Sequence, residues 1–138
     1  MLMHPYLNIP YCPRLDHFLG GFDIYDREES LGEELALYDP EYSPDRKILI
    51  ARYVVKRFSK LSYRHKFVLV GVLKKALDGD GDILAQILQH DPFSHSVLPD
   101  GWDEMKSPKA FFEEMYVILS DEWSNELNEA GAEDFSTW

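Results

Sequence analysis

The last third of the chain carries hydrophobic residues three or four positions apart, which is the spacing of an amphipathic α-helix. The residues on this stripe are Phe112, Met115, Tyr116, Ile118, Leu119, Trp123 and Leu127. Ser107 is the predicted N-cap of the helix, Pro108 its first residue and Gly131 its end. We predict one long helix whose aromatic stripe packs into the core.

Shorter helices are predicted near the N-terminus, where prolines interrupt the hydrophobic pattern. One begins in the turn at Pro13 and ends before Gly20. Another spans residues 31–38, because Ser30 and Glu33 have the spacing of a capping box. The side chains expected to hold the irregular first segment against the core are Tyr6, Leu7, Ile9 and Tyr11.

Two longer helices are predicted in the middle of the chain. Ser43 is the predicted cap of a helix that starts at Pro44 and runs to about Ser59. Ser62 caps the next helix, and Gly79 ends it in a left-handed conformation.

A short helix follows, with Asp80 or Asp82 as its cap and His90 at its end. The predicted architecture is therefore all-α, a compact bundle of five or six helices in which residues 1–138 form a single domain. The β-branched run at residues 67–73, "FVLVGVL", leaves an α+β fold with a buried strand as the alternative. With 138 residues, of which 45% are hydrophobic, the chain is long enough to bury a core.

Charged residues are sharply segregated along the sequence. Residues 1–45 carry ten acidic and two basic side chains, residues 46–75 ten basic and none acidic, and residues 76–138 fifteen acidic and two basic. Arg52, Lys56 and Lys60 repeat at a spacing of four, at which like charges on a helix repel each other. Because the net charge is −11, carboxylates of the same chain are favoured over nucleic acid as the groups that offset this repulsion.

Carboxylates on the last predicted helix divide into two groups. Glu122 and Glu126 fall at the edge of the apolar stripe, where we expect them to pair with the basic segment. Glu113, Glu114 and Asp121 point towards solvent on the same helical wheel. An acidic surface is therefore expected to remain after internal pairing.

The stretch "LDGDGDILAQILQH", residues 77–90, begins like a calcium-binding loop. An EF-hand loop requires Gly at its sixth position and Glu at its twelfth. Counted from Asp78, those positions hold Ile83 and Gln89. We therefore expect a turn between two helices and no bound metal.

The other polar residues form no catalytic pattern. His90, Asp91 and His95 lack the further ligands of a metal site, and Ser94 is next to His95 only in sequence. Cys12 has no partner for a disulfide, which fits a reducing compartment. We expect a non-enzymatic cytoplasmic protein with no catalytic residue, metal or cofactor. No apolar run reaches the ~20 residues of a membrane span.

The segment "PRLDHFLGGFDIYD", residues 13–26, resembles the beginning of small acidic bacterial immunity proteins, which protect cells against toxins of contact-dependent growth inhibition systems. The shared pattern is a proline, a leucine, an aromatic residue, "LG" and an aromatic turn that contains Asp. The acidic first third and the Ser-Pro that opens "SPKAFFEEMYVIL", residues 107–119, accompany it. The aromatic-His-Gln-Asp-Trp run of the family is replaced here by "FDIYD", residues 22–26. The resemblance implies a non-enzymatic inhibitor that binds one cognate toxin.

Charge and resemblance together predict a protein that binds and neutralises a basic toxin, above all a nuclease, whose active site must be cationic to hold phosphates. One alternative is a phage or regulatory module that inhibits a nucleic-acid-binding machine, and another is direct nucleic-acid binding by residues 46–75. The residues expected to contact the protein partner are Asp23, Tyr25, Asp26, Trp102, Asp103, Glu104, Glu113, Glu114 and Asp121.

Overall fold

The computed structural model describes residues 1–79, 81–89 and 97–138. Its α-helices, in chain order, are α1 (Glu33–Leu35), α2 (Ser43–Ile50), α3 (Lys56–Phe58), α4 (Tyr63–Asp78), α5 (Asp82–Gln86), α6 (Pro108–Glu122) and α7 (Ser124–Gly131). Segments of 3-10 helix cover Leu15–Phe22, Trp102–Glu104 and Phe135–Thr137, and π-helical turns cover Glu28–Gly32 and Ala51–Val55. The described residues, 1–79, 81–89 and 97–138, contain no strand and only one isolated bridge, between Met3 and Pro10. The prediction of an all-α fold is confirmed.

Helix α4 lies at the centre of the bundle and packs against both α6 and α7. Its buried face includes Leu69 and Leu73, which are four residues apart and fully buried. The alternative of a strand at residues 67–73 is wrong, because this segment lies inside α4. Its leucines meet the core at helical spacing.

Aromatic rings fill the space between the N-terminal 3-10 helix and α6. The ring of Phe22 lies 4.8 Å from that of Trp102 and 6.2 Å from that of Phe111, between centroids. All three side chains are buried. Gly21 allows this segment to approach the π-helical turn Ala51–Val55 closely, since a Cβ at Gly21 would lie 2.3 Å from the backbone oxygen of Tyr53.

Two of the predicted helix caps are present. The Ser62 hydroxyl oxygen accepts a hydrogen bond from the backbone N–H of His65 at 3.3 Å, and Ser107 accepts one from Ala110 at 3.3 Å. The predicted final helix is interrupted at Trp123, which has φ −105° and ψ 20°. The apolar stripe nevertheless continues from α6 into α7, because the Trp123 side chain stays buried.

Other predicted caps are wrong. Ser30 donates its hydroxyl hydrogen to the carbonyl oxygen of Arg27 and does not cap, so the capping box with Glu33 does not form. Ser43 is the first residue of α2 and donates to Glu114 instead. In both cases the hydroxyl donates to an oxygen atom elsewhere, and its own oxygen accepts no hydrogen bond from the first turn of the helix.

The turn after α4 also differs from its prediction. Gly79 has φ −91° and is extended, not left-handed. Gly81 precedes α5, and Asp82 is the first residue of that helix, not its cap. Helix α5 ends at Gln86, while Asp80 and the predicted helix end at His90 lie outside the described residues.

The N-terminal segment packs on α4 through fewer side chains than expected. The Tyr11 ring lies 4.8 Å from the ring of His65, whose Nε2 lies 2.7 Å from the carbonyl oxygen of Met3. Tyr6, Leu7 and Ile9 are at least half exposed, and the prediction that they pack on the core is wrong. Backbone hydrogen bonds close this segment into a hairpin and turn those three side chains outward.

Candidate partner-binding surface

The turn at residues 23–26 is held in place by the carboxylate of Asp23. Its Oδ1 accepts hydrogen bonds from the backbone N–H of Tyr25 at 3.0 Å and of Val97 at 2.9 Å. The backbone N–H of Ile24 donates to the carbonyl oxygen of Val97 at 2.8 Å. Asp26 is exposed and has φ 57°, in the left-handed region that short polar residues tolerate. The carboxylate of Asp23 is therefore used to fix the turn, and that of Asp26 faces solvent.

The predicted contact residues 102–104 are divided between the core and the surface. Trp102 is 2% exposed, so its ring belongs to the core, although the residue also lines the groove described below. Its ring packs against Phe22, because the left-handed turn at Gly101 directs the chain inward. Asp103 and Glu104 are exposed, as predicted.

Of the three predicted contact residues on α6, two are exposed and one is not. Glu113 and Asp121 are exposed, as the helical wheel predicted. Glu114 is not: its side chain is 15% exposed and lies 3.0 Å from the guanidinium of Arg46. It also accepts a hydrogen bond from the Ser43 hydroxyl at 2.9 Å. A wheel drawn for α6 alone contains no information about α2, which packs beside this flank.

A groove of about 610 Å³ lies where the 23–41 region meets the segment 97–102. Its apolar lining consists of Ile24, Leu35, Ala36, Pro40, Val97, Pro99 and Trp102. Its carboxylates are Glu28, Glu33, Asp39, Glu41 and Asp100. Among the described residues that line it there is no Lys or Arg. We call this feature, defined by its five carboxylates, the acidic groove.

Hydrogen bonds stiffen one wall of the acidic groove. Asp39 Oδ1 accepts from the backbone N–H of Glu41 at 2.9 Å, and Glu41 Oε1 accepts from the backbone N–H of Lys106 at 2.5 Å. Arg46 donates to the carbonyl oxygens of Pro40 at 2.9 Å and Glu41 at 3.0 Å. Because the charge of Arg46 is already paired with that of a glutamate on α6, it contributes little positive potential to the groove.

The contact residues predicted from the sequence include residues near this groove in the chain but none of its five carboxylates. In the chain, Asp23, Tyr25 and Asp26 are next to the lining residue Ile24 or close to it, and Asp103 follows the lining residue Trp102. The missed signal is the segment 28–41, which holds six acidic residues and no basic one. That density predicts outward carboxylates, because the segment itself contains no cation to pair with them.

Three ion pairs join the basic segment to the acidic C-terminal part of the chain. They are Arg46 with Glu114 at 3.0 Å, Arg64 with Glu133 at 2.9 Å and Lys66 with Glu126 at 2.7 Å. The prediction that Glu126 pairs with the basic segment is confirmed, whereas Glu122 is exposed and forms no ion pair with any described residue. The bundle therefore neutralises part of the basic segment internally.

Other cations of the segment remain on the surface. Lys47, Arg52, Lys56 and Lys60 are exposed, and no carboxylate in the described part of the chain lies within ion-pair distance of them. Arg52 donates a hydrogen bond to the hydroxyl of Tyr38 at 2.7 Å. Because Tyr38 lines the acidic groove, this hydrogen bond places Arg52 next to the groove. We call these four residues the cationic row.

Few of the described side chains have a strongly shifted pKa. Burial, assisted by a hydrogen bond to Glu34, raises the pKa of Tyr53 to about 12. Burial raises the pKa of Tyr11 to about 12 and lowers that of His17. Each shift favours the neutral form of a partly buried ring, and none of the three groups lines the acidic groove.

The described residues contain no cluster of three or more His, Cys, Asp or Glu side chains that could hold a metal ion. His90, Asp91, Ser94 and His95 lie outside the described residues. In the described ranges, none of the helices is both long and apolar enough to cross a membrane. Comparison with known protein families, with curated proteins and with solved structures finds no match for this chain.

Proposed function

We propose that this protein is a non-enzymatic inhibitor of the immunity or antitoxin type, which binds a basic protein toxin, and in particular a nuclease, through the acidic groove. The observation that carries the proposal is the groove's lining: five carboxylates around an apolar floor, with no cation among the described lining residues. In this proposal the protein acts by occupying its partner's surface and performs no reaction.

The chemistry of the groove fits a cationic protein segment. A nuclease binds phosphates with Lys and Arg side chains, and carboxylates held on a rigid wall can take the place of those phosphates. Opposite charge also accelerates encounter, and steered association reaches ~10⁸–10⁹ M⁻¹s⁻¹ at low salt. The apolar floor, with Leu35 and Pro99, offers contact to the aliphatic stems of Lys and Arg.

The resemblance of residues 13–26 to immunity proteins supports the same proposal. The Asp23 turn in that segment flanks the acidic groove and is fixed by hydrogen bonds to Val97. A regulatory or phage protein that inhibits a nucleic-acid-binding machine would use the same charges. The identity of the captured partner distinguishes the two.

The cationic row favours a second candidate function, direct binding of nucleic acid. Four exposed cations without carboxylate partners could contact successive phosphates. The net charge of −11 opposes the approach of a polyanion, and so we rank this function second. It requires micromolar affinity for RNA or DNA with a steep salt dependence.

The test begins with partner capture. Tagged protein is cross-linked in the source cell, and a captured basic protein is purified and assayed as a nuclease with and without this chain. We expect a complex whose formation blocks the nuclease. Capture of no basic protein, or a complex that leaves the partner's activity unchanged, would contradict the proposal.

Charge reversal then locates the interface. Glu28→Lys with Glu33→Lys reverses two groove carboxylates, and Glu113→Lys with Asp121→Lys makes the same change in charge at exposed sites on α6. We expect the groove variant to lose affinity at least about tenfold and the α6 variant to lose much less, because the Debye length is only ~10 Å at 0.1 M salt. Equal losses would place the interface elsewhere.

A further inference from the structure

The cationic row and the acidic groove are adjacent on one surface. Arg52, at the middle of the row, donates a hydrogen bond to Tyr38, which lines the groove, and its guanidinium lies 5.9 Å from the centroid of that ring. The row continues along the chain through Lys56 to Lys60. A surface that is positive on one side and negative on the other is complementary to itself when rotated by 180°.

Three exposed apolar side chains belong to the part of the chain, residues 37–48, that follows Leu35 of the groove and precedes Arg52 of the row. Leu37, next to Tyr38 in the chain, is 78% exposed, and Ile48, one turn before Arg52, is 39% exposed. Tyr42, between α1 and α2, is 57% exposed. Protein interfaces commonly have such an apolar centre inside a polar rim. The isolated protein leaves much of the surface of these three side chains exposed to water.

We propose that this surface binds a second copy of the chain, in a two-fold dimer that places each copy's cationic row against the other's acidic groove. A two-fold contact repeats the complementary pairing twice, once in each direction. Charge complementarity decides the occupant: the row supplies four cations, and the groove supplies five carboxylates. The net charge of −11 repels two copies at long range, but salt at ~0.15 M screens that repulsion beyond about 8 Å and weakens close contacts much less.

The dimer rests on the proposed function in one respect: it covers the groove that the basic partner would use. The basic partner and the second copy then compete for the groove. The free protein keeps its groove carboxylates covered until a basic partner that binds more tightly displaces the cationic row. Dimerisation is measured without any partner. Its failure can therefore be distinguished from failure of the inhibitor proposal.

Sedimentation equilibrium of the pure protein is the first measurement. We expect a monomer–dimer equilibrium whose dissociation constant rises at least about tenfold between 0.1 M and 1 M salt, as the Debye length falls from ~10 to ~3 Å. A protein that stays monomeric at low salt and high concentration overturns the proposal. So does a dimer that salt leaves unchanged.

Complementary charge reversal is the decisive measurement. Lys56→Glu with Lys60→Glu reduces the charge of the row from +4 to zero, and Glu28→Lys with Glu33→Lys reduces that of the groove from −5 to −1. Each variant alone should dimerise at least about tenfold more weakly than the unchanged protein, because both of its contacts lose most of their attraction. An equimolar mixture should dimerise more tightly than either variant alone, since one of the two contacts in the mixed dimer joins an unchanged row to an unchanged groove. A mixture that dimerises no more tightly than the separate variants overturns the proposal.

A matched control changes charge outside the row. Lys74→Glu with Lys75→Glu makes the same change at two exposed residues of α4, and should leave dimerisation within about twofold. Circular dichroism confirms that each variant remains helical. The row variant keeps an intact groove, so it should bind a basic partner at least as tightly as the unchanged protein. Equal loss of dimer in control and row variants, or a monomer whose row binds RNA, would refute the proposed dimer.

Discussion

Replacing Glu126 by Gln should destabilise the protein more than replacing Lys66 by Met. Lys66 is 4% exposed, and its Nζ lies 2.7 Å from Glu126 and 5.2 Å from the centroid of the Trp123 ring. Glu126→Gln keeps the shape of the acceptor but removes the charge that offsets a buried ammonium. Lys66→Met removes the ammonium and leaves an apolar chain of similar length, which suits its buried surroundings.

The magnitude follows from the exposure of the two partners. Removing one member of a buried ion pair costs about 3–5 kcal/mol, and losing a hydrogen bond to a charged group about 1.5–3 kcal/mol. Glu126 is 40% exposed, so water can reach the site and the lower range applies. We expect Glu126→Gln to cost about 2 kcal/mol, or ~6 °C in Tm for a chain of this size. Lys66→Met should change stability by no more than about 1 kcal/mol.

Urea unfolding followed by tryptophan fluorescence, together with thermal melts, measures both variants. Glu122→Gln is the matched control, because Glu122 is exposed and lies one turn before Glu126; it should stay within about 0.5 kcal/mol. The reasoning is refuted if Lys66→Met costs more than Glu126→Gln. It is also refuted if the control loses as much as Glu126→Gln does.

Three further predictions test the packing and the C-terminal ion pair. Gly21→Ala should cost about 1–3 kcal/mol, because its Cβ would meet a backbone oxygen at 2.3 Å, whereas Gly71→Ala, with open space in α4, should be neutral or stabilising by up to about 1 kcal/mol; equal melting temperatures would contradict this. Trp102→Ala should cost about 3–5 kcal/mol in urea unfolding, and a loss below about 1 kcal/mol would return Trp102 to the surface. The hydrogen bond from Arg64 lowers the pKa of Glu133, so its stabilisation is present above the unfolded pKa near 4.5 and is lost as pH falls through the lowered folded pKa. Melts over that range should therefore show a weaker pH dependence for Glu133→Gln, and identical pH profiles would contradict this.

Helix boundaries were predictable where a residue close in the sequence supplies the hydrogen-bond partner of the cap. Ser62 and Ser107 cap α4 and α6 by accepting from a backbone N–H three residues ahead. Ser43 has the same signal, but its hydroxyl donates to Glu114 across the bundle, 71 residues away. The break at Trp123 likewise lies inside a continuous apolar stripe, which no local rule interrupts.

The candidate surface was less predictable because it is assembled from distant segments. Charge segregation correctly indicated outward carboxylates and an internal role for Glu126. The acidic groove needs residues 24–41 and 97–102 side by side, and only tertiary packing brings them together. Glu113 and Glu114 are neighbours in one helix, yet packing against α2 buries the second and leaves the first exposed.

The three ion pairs also have a consequence for the kinetics of folding. Their partners are 60, 68 and 69 residues apart in the chain, so each pair closes a long loop. Closing a loop of that length costs conformational entropy before the contact contributes any favourable energy. Such contacts therefore tend to form late in folding. We therefore expect the loss of Glu126 to accelerate unfolding and to leave the refolding rate almost unchanged in stopped-flow experiments. A slower refolding limb would instead place this contact in the folding nucleus.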